Sequence, residues 1–173
     1  MSLSIVPVAE PHFEGLRAAL DTVAREKKYL VFTQAPPRKA AFDFYRSVIA
    51  NGDCMCVALW NEQVIGWCDV LPVRGEARTH VGTLGIGLLP AFRHRGIGAL
   101  LLKAAIAGAW DRGLTRIELT VRAGNANARA LYERLGFATE GLMRQATCVD
   151  GRYEDSHAMA LLREHGATPA AAA

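Results

Sequence analysis

The sequence predicts an α+β fold: a single twisted, mixed and mostly antiparallel sheet of about seven strands, flanked by about four helices. Three observations carry this. Strand-like runs at 54–60 and 64–72 flank the turn Asn61-Glu62-Gln63 and read as a hairpin, which makes an antiparallel pair. Between Thr79 and Val121 a strand, a glycine turn, an apolar helix and a second strand follow one another, the order of a crossover that makes a parallel pair. Finally, the 173 residues, 51% of them hydrophobic, suffice for one substantial core, and no internal repeat divides them.

Taken in order, SIVPVA (4–9) is the first strand. Spacing through Phe13, Leu16, Leu20 and Val23 predicts a helix over 13–30, interrupted by Ala35, Pro36 and Pro37. A second helix covers 38–50, with Phe42, Tyr45 and Ile49 on one face and Asn51-Gly52 as its stop. After the hairpin, a strand runs from Thr79 to Leu89 and Pro90 ends it. A helix then opens at Gly96, Ile97 and Gly98 and runs to Asp111-Arg112-Gly113. TRIELTV (115–121) alternates like a strand, and NANARALYERL (125–135) has helical spacing with Leu131 and Leu135 toward the core. Gly136 stops that helix, and two strands across Asp150-Gly151 complete the sheet. The domain is expected to span 1–165, and residues 166–173, with nothing to pack against, are expected to fray.

The formal charge of +3 comes from nearly balanced acids and bases spread along the chain, not from a basic stripe, so nucleic acid is not expected as a partner. No apolar run reaches membrane-spanning length, and the N-terminal stretch does not read as a signal peptide, so a cytoplasmic protein with no membrane partner is expected. Cys54, Cys56, Cys68 and Cys148 form no C-x-x-C pair and lack histidines at zinc-site spacing. They are expected to be buried, reduced thiols, and no metal is expected.

The most informative stretch is FRHRGIGALLL (92–102), a basic glycine turn between a strand and an apolar helix. The first N–H groups of a helix have no backbone partner and carry partial positive charge, so an anion docked there satisfies them. Arg93, His94 and Arg95 add charge, while Gly96 and Gly98 remove side chains that would hold a phosphate off the main chain. The expected ligand is a phosphate or diphosphate. A dinucleotide fold would carry its glycine turn after the first strand, and a phosphate loop of the Gly-Lys-Ser/Thr type is absent.

A second motif lies in NANARALYERLGF (125–137), where Asn125, Ala128 and Tyr132 share one helix face. Together, R-x-x-G-x-G at 93–98 and N-x-x-A-x-x-L-Y-x-x-x-G-F at 125–137 resemble the GNAT superfamily of acetyl-CoA-dependent N-acetyltransferases, in the order and approximate separation of its two signature regions. The likeness runs from about Thr79 to Leu162 and is nearest the branch of L-amino-acid, polyamine and protein N-terminal acetyltransferases.

That resemblance implies a GNAT-like single domain with acetyl-CoA as co-substrate and no metal. It implies that Arg93, His94, Arg95, Gly96, Ile97, Gly98 and Ala99 cradle the diphosphate. It also implies that backbone groups at Leu88 and Leu89 pair with the pantetheine arm, in a slot where this strand splays from 115–121. Asn125 is expected to hydrogen-bond the arm from the far side, with Ala128 leaving it room. The partner is then an amine of a small molecule or peptide terminus, and a homodimer is within the family's habit.

For the chemistry, a backbone N–H near Leu88 is expected to polarise the thioester carbonyl, and Tyr132 to act as general acid toward the departing thiolate. Glu76, Asp69, His80 and Glu118 are candidate bases, none singled out, and an ordered water beside a carboxylate is an alternative. A covalent route through Cys68 has no partner to activate the thiol. The acceptor pocket is expected near 26–38 and 72–78, with Glu26 available to a cationic amine and Tyr29, Phe32 and Trp67 as an apolar wall. The competing reading is a non-catalytic acyl-CoA-binding sensor, which would keep the slot and show no turnover.

Overall fold

The computed structural model describes residues 2–163, so the expected tail lies outside the described residues. Seven strands form one sheet: β1 (Leu3–Pro7), β2 (Cys54–Trp60), β3 (Gln63–Pro72), β4 (Val81–Leu88), β5 (Arg116–Arg122), β6 (Ala138–Val149) and β7 (Arg152–Leu162). Their spatial order is β1-β2-β3-β4-β5-β7-β6, and every neighbouring pair is antiparallel except β4 with β5. The helices are α1 (Phe13–Arg25), α2 (Arg38–Asn51), α3 (Ile97–Asp111) and α4 (Ala126–Arg134). None of the described helices is long and apolar enough to cross a membrane.

Strand alternation divides the interior into two cores. Cys68, Val70 and Leu84 pack with Leu101, Leu102 and Ala105 of α3 and with Tyr132 of α4. On the opposite face Met55, Val57 and Trp67 pack with Phe13, Leu16 and Val23 of α1 and with Phe42, Tyr45 and Val48 of α2. The helix α3 is apolar nearly all round because it lies across the middle of the sheet, and Leu101 and Leu102 are completely buried. Each such leucine contributes about 2–3 kcal/mol by leaving water. The hairpin β2–β3 closes through Asn61 (φ 46°) and Glu62 (φ 68°), two successive left-handed residues whose twist matches that of the strands.

Several expectations are corrected. The first strand ends at Pro7 rather than at 9, and α1 stops at Arg25 instead of reaching 30. Lys27 is left-handed (φ 57°), and the carbonyls of Lys27 and Leu30 are held by Arg122 at 2.8 and 2.7 Å, so tertiary hydrogen bonds replace a continued helix. In α2 Phe42 and Tyr45 are buried as expected, but the next buried residue is Val48, and Ile49 is 43% exposed. Cys148 is exposed, because it lies on β6 at the edge of the sheet, whereas Cys56 and Cys68 are buried.

Candidate active site

The site begins where sheet pairing fails. The parallel pairing of β4 with β5 covers only Val81 with Arg116, Gly82 with Ile117 and Thr83 with Glu118. Beyond that point β4 continues with β3 and β5 continues with β7, so a gap opens between Leu84–Leu88 and Leu119–Arg122. The register fixes which groups face the gap. Leu89 N–H donates to Ile65 C=O at 2.8 Å, which makes Gly66 and Leu88 a pair whose own N–H and C=O groups point away from each other. The N–H of Leu88 therefore points into the opening. Its carbonyl accepts from Arg93 Nε at 2.9 Å. Leu89 has no backbone group left over, since its carbonyl accepts from Phe92 N–H at 3.0 Å.

Below the gap the chain turns into α3. His94 (φ 61°) and Gly96 (φ 80°) are both left-handed, and this alternation points successive N–H groups to one side. No described group accepts from the backbone N–H of His94, Arg95, Gly96, Ile97 or Gly98, whereas Ala99 N–H donates to Gly96 C=O at 3.1 Å. Gly96 has open space where a Cβ would stand, and the side chain of Ile97 is buried in the core. The turn thus offers a run of unpartnered donors at the N-terminus of a long helix, which suits a diphosphate. Arg95 stands over the ring of Phe92 at 5.8 Å and has no ion pair among the described residues. Arg93 does something different. Its guanidinium clasps both oxygens of Glu26 at 2.9 and 2.5 Å and lies 4.8 Å over Tyr29, so its charge is neutralised away from the turn. Glu26 is committed to that pair and is not free for an amine.

Arg93 and Arg122 approach the segment after α1 from opposite sides of the gap. Arg93 holds Glu26, and Arg122, only 7% exposed at the end of β5, holds the carbonyls of Lys27 and Leu30. Together they fasten residues 26–30 beside the opening. The alternation of TRIELTV gave no reason to look at the arginine that follows it, and only the partners across the fold reveal its task.

On the α1–α2 face of the sheet the gap joins a cavity of about 810 Å³. Tyr29, Phe32, Phe44, Trp67, Leu71 and Met143 make much of its wall. Its floor exists because two residues of β4 lack side chains. A Cβ at Gly87 would lie 2.1 Å from the Trp67 ring, and one at Gly85 would lie 3.2 Å from both carboxylate oxygens of Asp69. Trp67 and Asp69 alternate with Cys68 on β3 and so lie on the same face.

Asp69 and Tyr132 both line this cavity. Asp69 is half-buried, packed deep on the floor with solvent reaching it through the cavity, and its carboxylate makes no hydrogen bond among the described residues. Burial alone pushes its carboxyl up to about 7. Tyr132 is the one buried residue of α4 and packs on Phe137 with ring centroids 5.7 Å apart. Burial, with a smaller effect from Cys68, pushes its phenol well above the ordinary range, and its hydroxyl has no partner among the described residues. Asn125 caps α4, its Oδ1 accepting from Ala128 N–H at 3.3 Å, which leaves the amide N–H₂ to donate.

The other candidate bases are placed differently. Glu118 lines the cavity, but Arg116 (2.8 Å) and Arg78 (2.6 Å) bind it and hold its carboxyl below the usual carboxylate range. Glu76 and His80 are exposed and lie outside the cavity lining. Burial pushes the thiols of Cys56, to about 12, and Cys68 far from the thiolate form. Among the described residues no group of histidine, cysteine and acidic side chains is placed to hold a metal ion.

Known proteins agree with this architecture. The model of the acetyltransferase (GNAT) family matches residues 16–137. The L-amino acid N-acetyltransferase AaaT of Escherichia coli (strain K12) is 31% identical over 109 residues, covering 62% of this chain and 67% of that protein. The ribosomal protein bS18-alanine N-acetyltransferase of Salmonella typhimurium is 41% identical over 76 residues, 44% of this chain, and the match spans only 51% of that relative. Among solved structures, the yncA acetyltransferase of Salmonella typhimurium, determined with acetyl-CoA, superposes with a TM-score of 0.90 at 19% identity, covering 99% of this chain and 100% of that one. A phosphinothricin acetyltransferase from Sinorhizobium meliloti in complex with acetyl-CoA gives 0.88 at 22% identity, covering 97% and 92%. At these identities the two structures establish the fold. Since the family match takes in more than half of the residues, both signature motifs included, the chain belongs to the acetyltransferase (GNAT) family and is an acyltransferase.

Proposed function

We propose that the chain moves an acetyl group from acetyl-CoA to a primary amine, of a small molecule or a peptide terminus, by direct attack in a ternary complex. The observation that carries this reading is the failure of β4–β5 pairing after Thr83, because the anion-binding turn, the N–H of Leu88 and Tyr132 all border the resulting gap. The free donors of residues 94–98 fit a diphosphate. The bare edge of Leu84–Leu88 fits an extended, amide-bearing arm that adds itself as a strand. Bound there, acetyl-CoA would supply an acetyl activated as a thioester, with a thiolate as leaving group.

The chain's own residues supply positioning and protons. Leu88 N–H is aimed to donate to the carbonyl oxygen as negative charge gathers on it, and a donor fixed in advance contributes about 3–4 kcal/mol. Tyr132 stays protonated at any working pH and holds its proton at the edge of the gap. A thiolate formed in the same dry surroundings is raised by desolvation too, so proton donor and acceptor move together. Asn125 donates from its amide toward the arm, and the small Ala128 beside it keeps that side open.

Calorimetry with acetyl-CoA and an assay of free-thiol release test this. Tyr132→Phe should bind acetyl-CoA as the wild type does and lose about a hundredfold in rate at neutral pH. Unchanged turnover would remove Tyr132 from the acid role, and absence of acetyl-CoA binding by the wild type would end the reading.

A further inference from the structure

Resting on the acetyl-transfer reading above, we propose that the acceptor is a small primary amine with an apolar body and no carboxylate beside its nitrogen, and that Asp69 receives the ammonium group and takes its proton. The charges of the cavity carry this. Three other charged side chains line it, Arg116, Glu118 and Glu140, and with Arg78 beside them, outside the lining, they cancel. Arg116 binds Glu118 at 2.8 Å and both oxygens of Glu140 at 2.9 and 2.5 Å, and Arg78 binds Glu118 at 2.6 Å. Two cations and two anions satisfy one another there. Asp69 is then the one charged group of the cavity lining that has no partner among the described residues.

A substrate that brought its own carboxylate would find no free cation among the described lining residues, and one with several ammonium groups would find a single free anion. Either mismatch leaves a charge desolvated and unpaired. The remaining wall is aromatic and aliphatic, from Tyr29, Phe32, Phe44, Trp67, Leu71 and Met143, and its volume of about 810 Å³ is that of a small-molecule pocket. A single ammonium on an apolar body complements it.

The groups that face Asp69 add no opposing charge. From α2 comes Tyr45, whose buried hydroxyl has no partner among the described residues and whose phenol is raised to about 12 by burial. From β2 comes Met55, the residue paired with Asp69, and β4 presents Gly85, while the thiols of Cys54, Cys56 and Cys68, all raised by burial, belong to the opposite face of the sheet. Arg17 of α1 donates its Nε to the carbonyl of Pro36 at 2.9 Å. With a carboxyl titrating at about 7, Asp69 is poised to exchange a proton at neutral pH. Two protons leave the nitrogen in all. The first passes from the ammonium to Asp69 and on to solvent, which frees the lone pair that forms the C–N bond as the C–S bond breaks. The second leaves after that bond forms and replaces the proton that Tyr132 gives to the sulfur.

The test measures thiol release with acetyl-CoA and four acceptors: 2-phenylethylamine, L-phenylalanine, spermidine and an alanyl peptide with a free N-terminus. The expected result is a kcat/KM for 2-phenylethylamine at least tenfold above the other three. Calorimetry of 2-phenylethylamine on the protein–CoA complex supplies a readout apart from turnover, and Asp69→Asn should weaken that binding at least tenfold. Glu140→Gln should release Arg116 and raise turnover of L-phenylalanine relative to 2-phenylethylamine. Preference for any of the other three acceptors, no turnover of 2-phenylethylamine, or binding untouched by Asp69→Asn would overturn the inference while acetyl-CoA binding leaves the donor reading intact. Failure to bind acetyl-CoA would overturn both.

Discussion

Asp69→Asn gives a prediction that needs no substrate. In the unfolded chain this carboxyl titrates near 3.8, and in the folded protein burial raises it to about 7. The folded state therefore binds the proton more tightly, and stability falls as pH rises from about 4 to about 7. A rise of about 3 units at about 1.4 kcal/mol each sets a ceiling of about 4 kcal/mol. Because solvent reaches the carboxylate through the cavity, about half of that, ~2 kcal/mol, is the expected cost of ionising it in place. Asparagine keeps the shape and removes the titration. Urea unfolding of wild type and variant at pH 4, 6 and 8 should show the variant gaining on the wild type by about 2 kcal/mol across the series. The difference between the two proteins isolates this one group. Parallel stability profiles would refute the reasoning, since they would mean that the carboxylate is as well solvated in the fold as in the unfolded chain.

Two further substitutions read other parts of the site. Gly85→Leu places a Cβ 3.2 Å from both Asp69 oxygens and a larger group beyond, so it should abolish amine turnover and leave acetyl-CoA affinity within about twofold, as calorimetry would show. Arg122→Ala removes charged hydrogen bonds to the carbonyls of Lys27 and Leu30 and should cost about 2–3 kcal/mol in urea unfolding, with faster hydrogen exchange across residues 26–32.

Much of this was legible in the sequence because it is local. Hydrophobic period, the Asn-Gly stop after α2 and the glycine turn at 93–98 indicated each helix and strand, and the two motifs pointed to the family. What the sequence withheld depends on partners distant along the chain. The spacing of Leu20 and Val23 argues for a helix as far as 30, yet Arg93 and Arg122, far along the chain, pull the segment out of it. Arg93 sits inside a motif that suggests phosphate, and only Glu26 and Tyr29 explain its turn away. Asp69 and Glu118 are alike as carboxylates on alternating strands. One has two arginines and the other none, and that difference exists only in three dimensions.

The central claim is that an anion seated on the turn before α3 aims an acetyl donor into the gap between β4 and β5. Titration of ¹⁵N-labelled protein with coenzyme A, followed through its amide resonances, tests it most directly. The account predicts large, saturable shifts for the amides of Arg95, Gly96, Ile97, Gly98 and Leu88, with Leu89 moving least because its N–H is held by Ile65. Saturable binding that leaves those amides in place and moves others would contradict it.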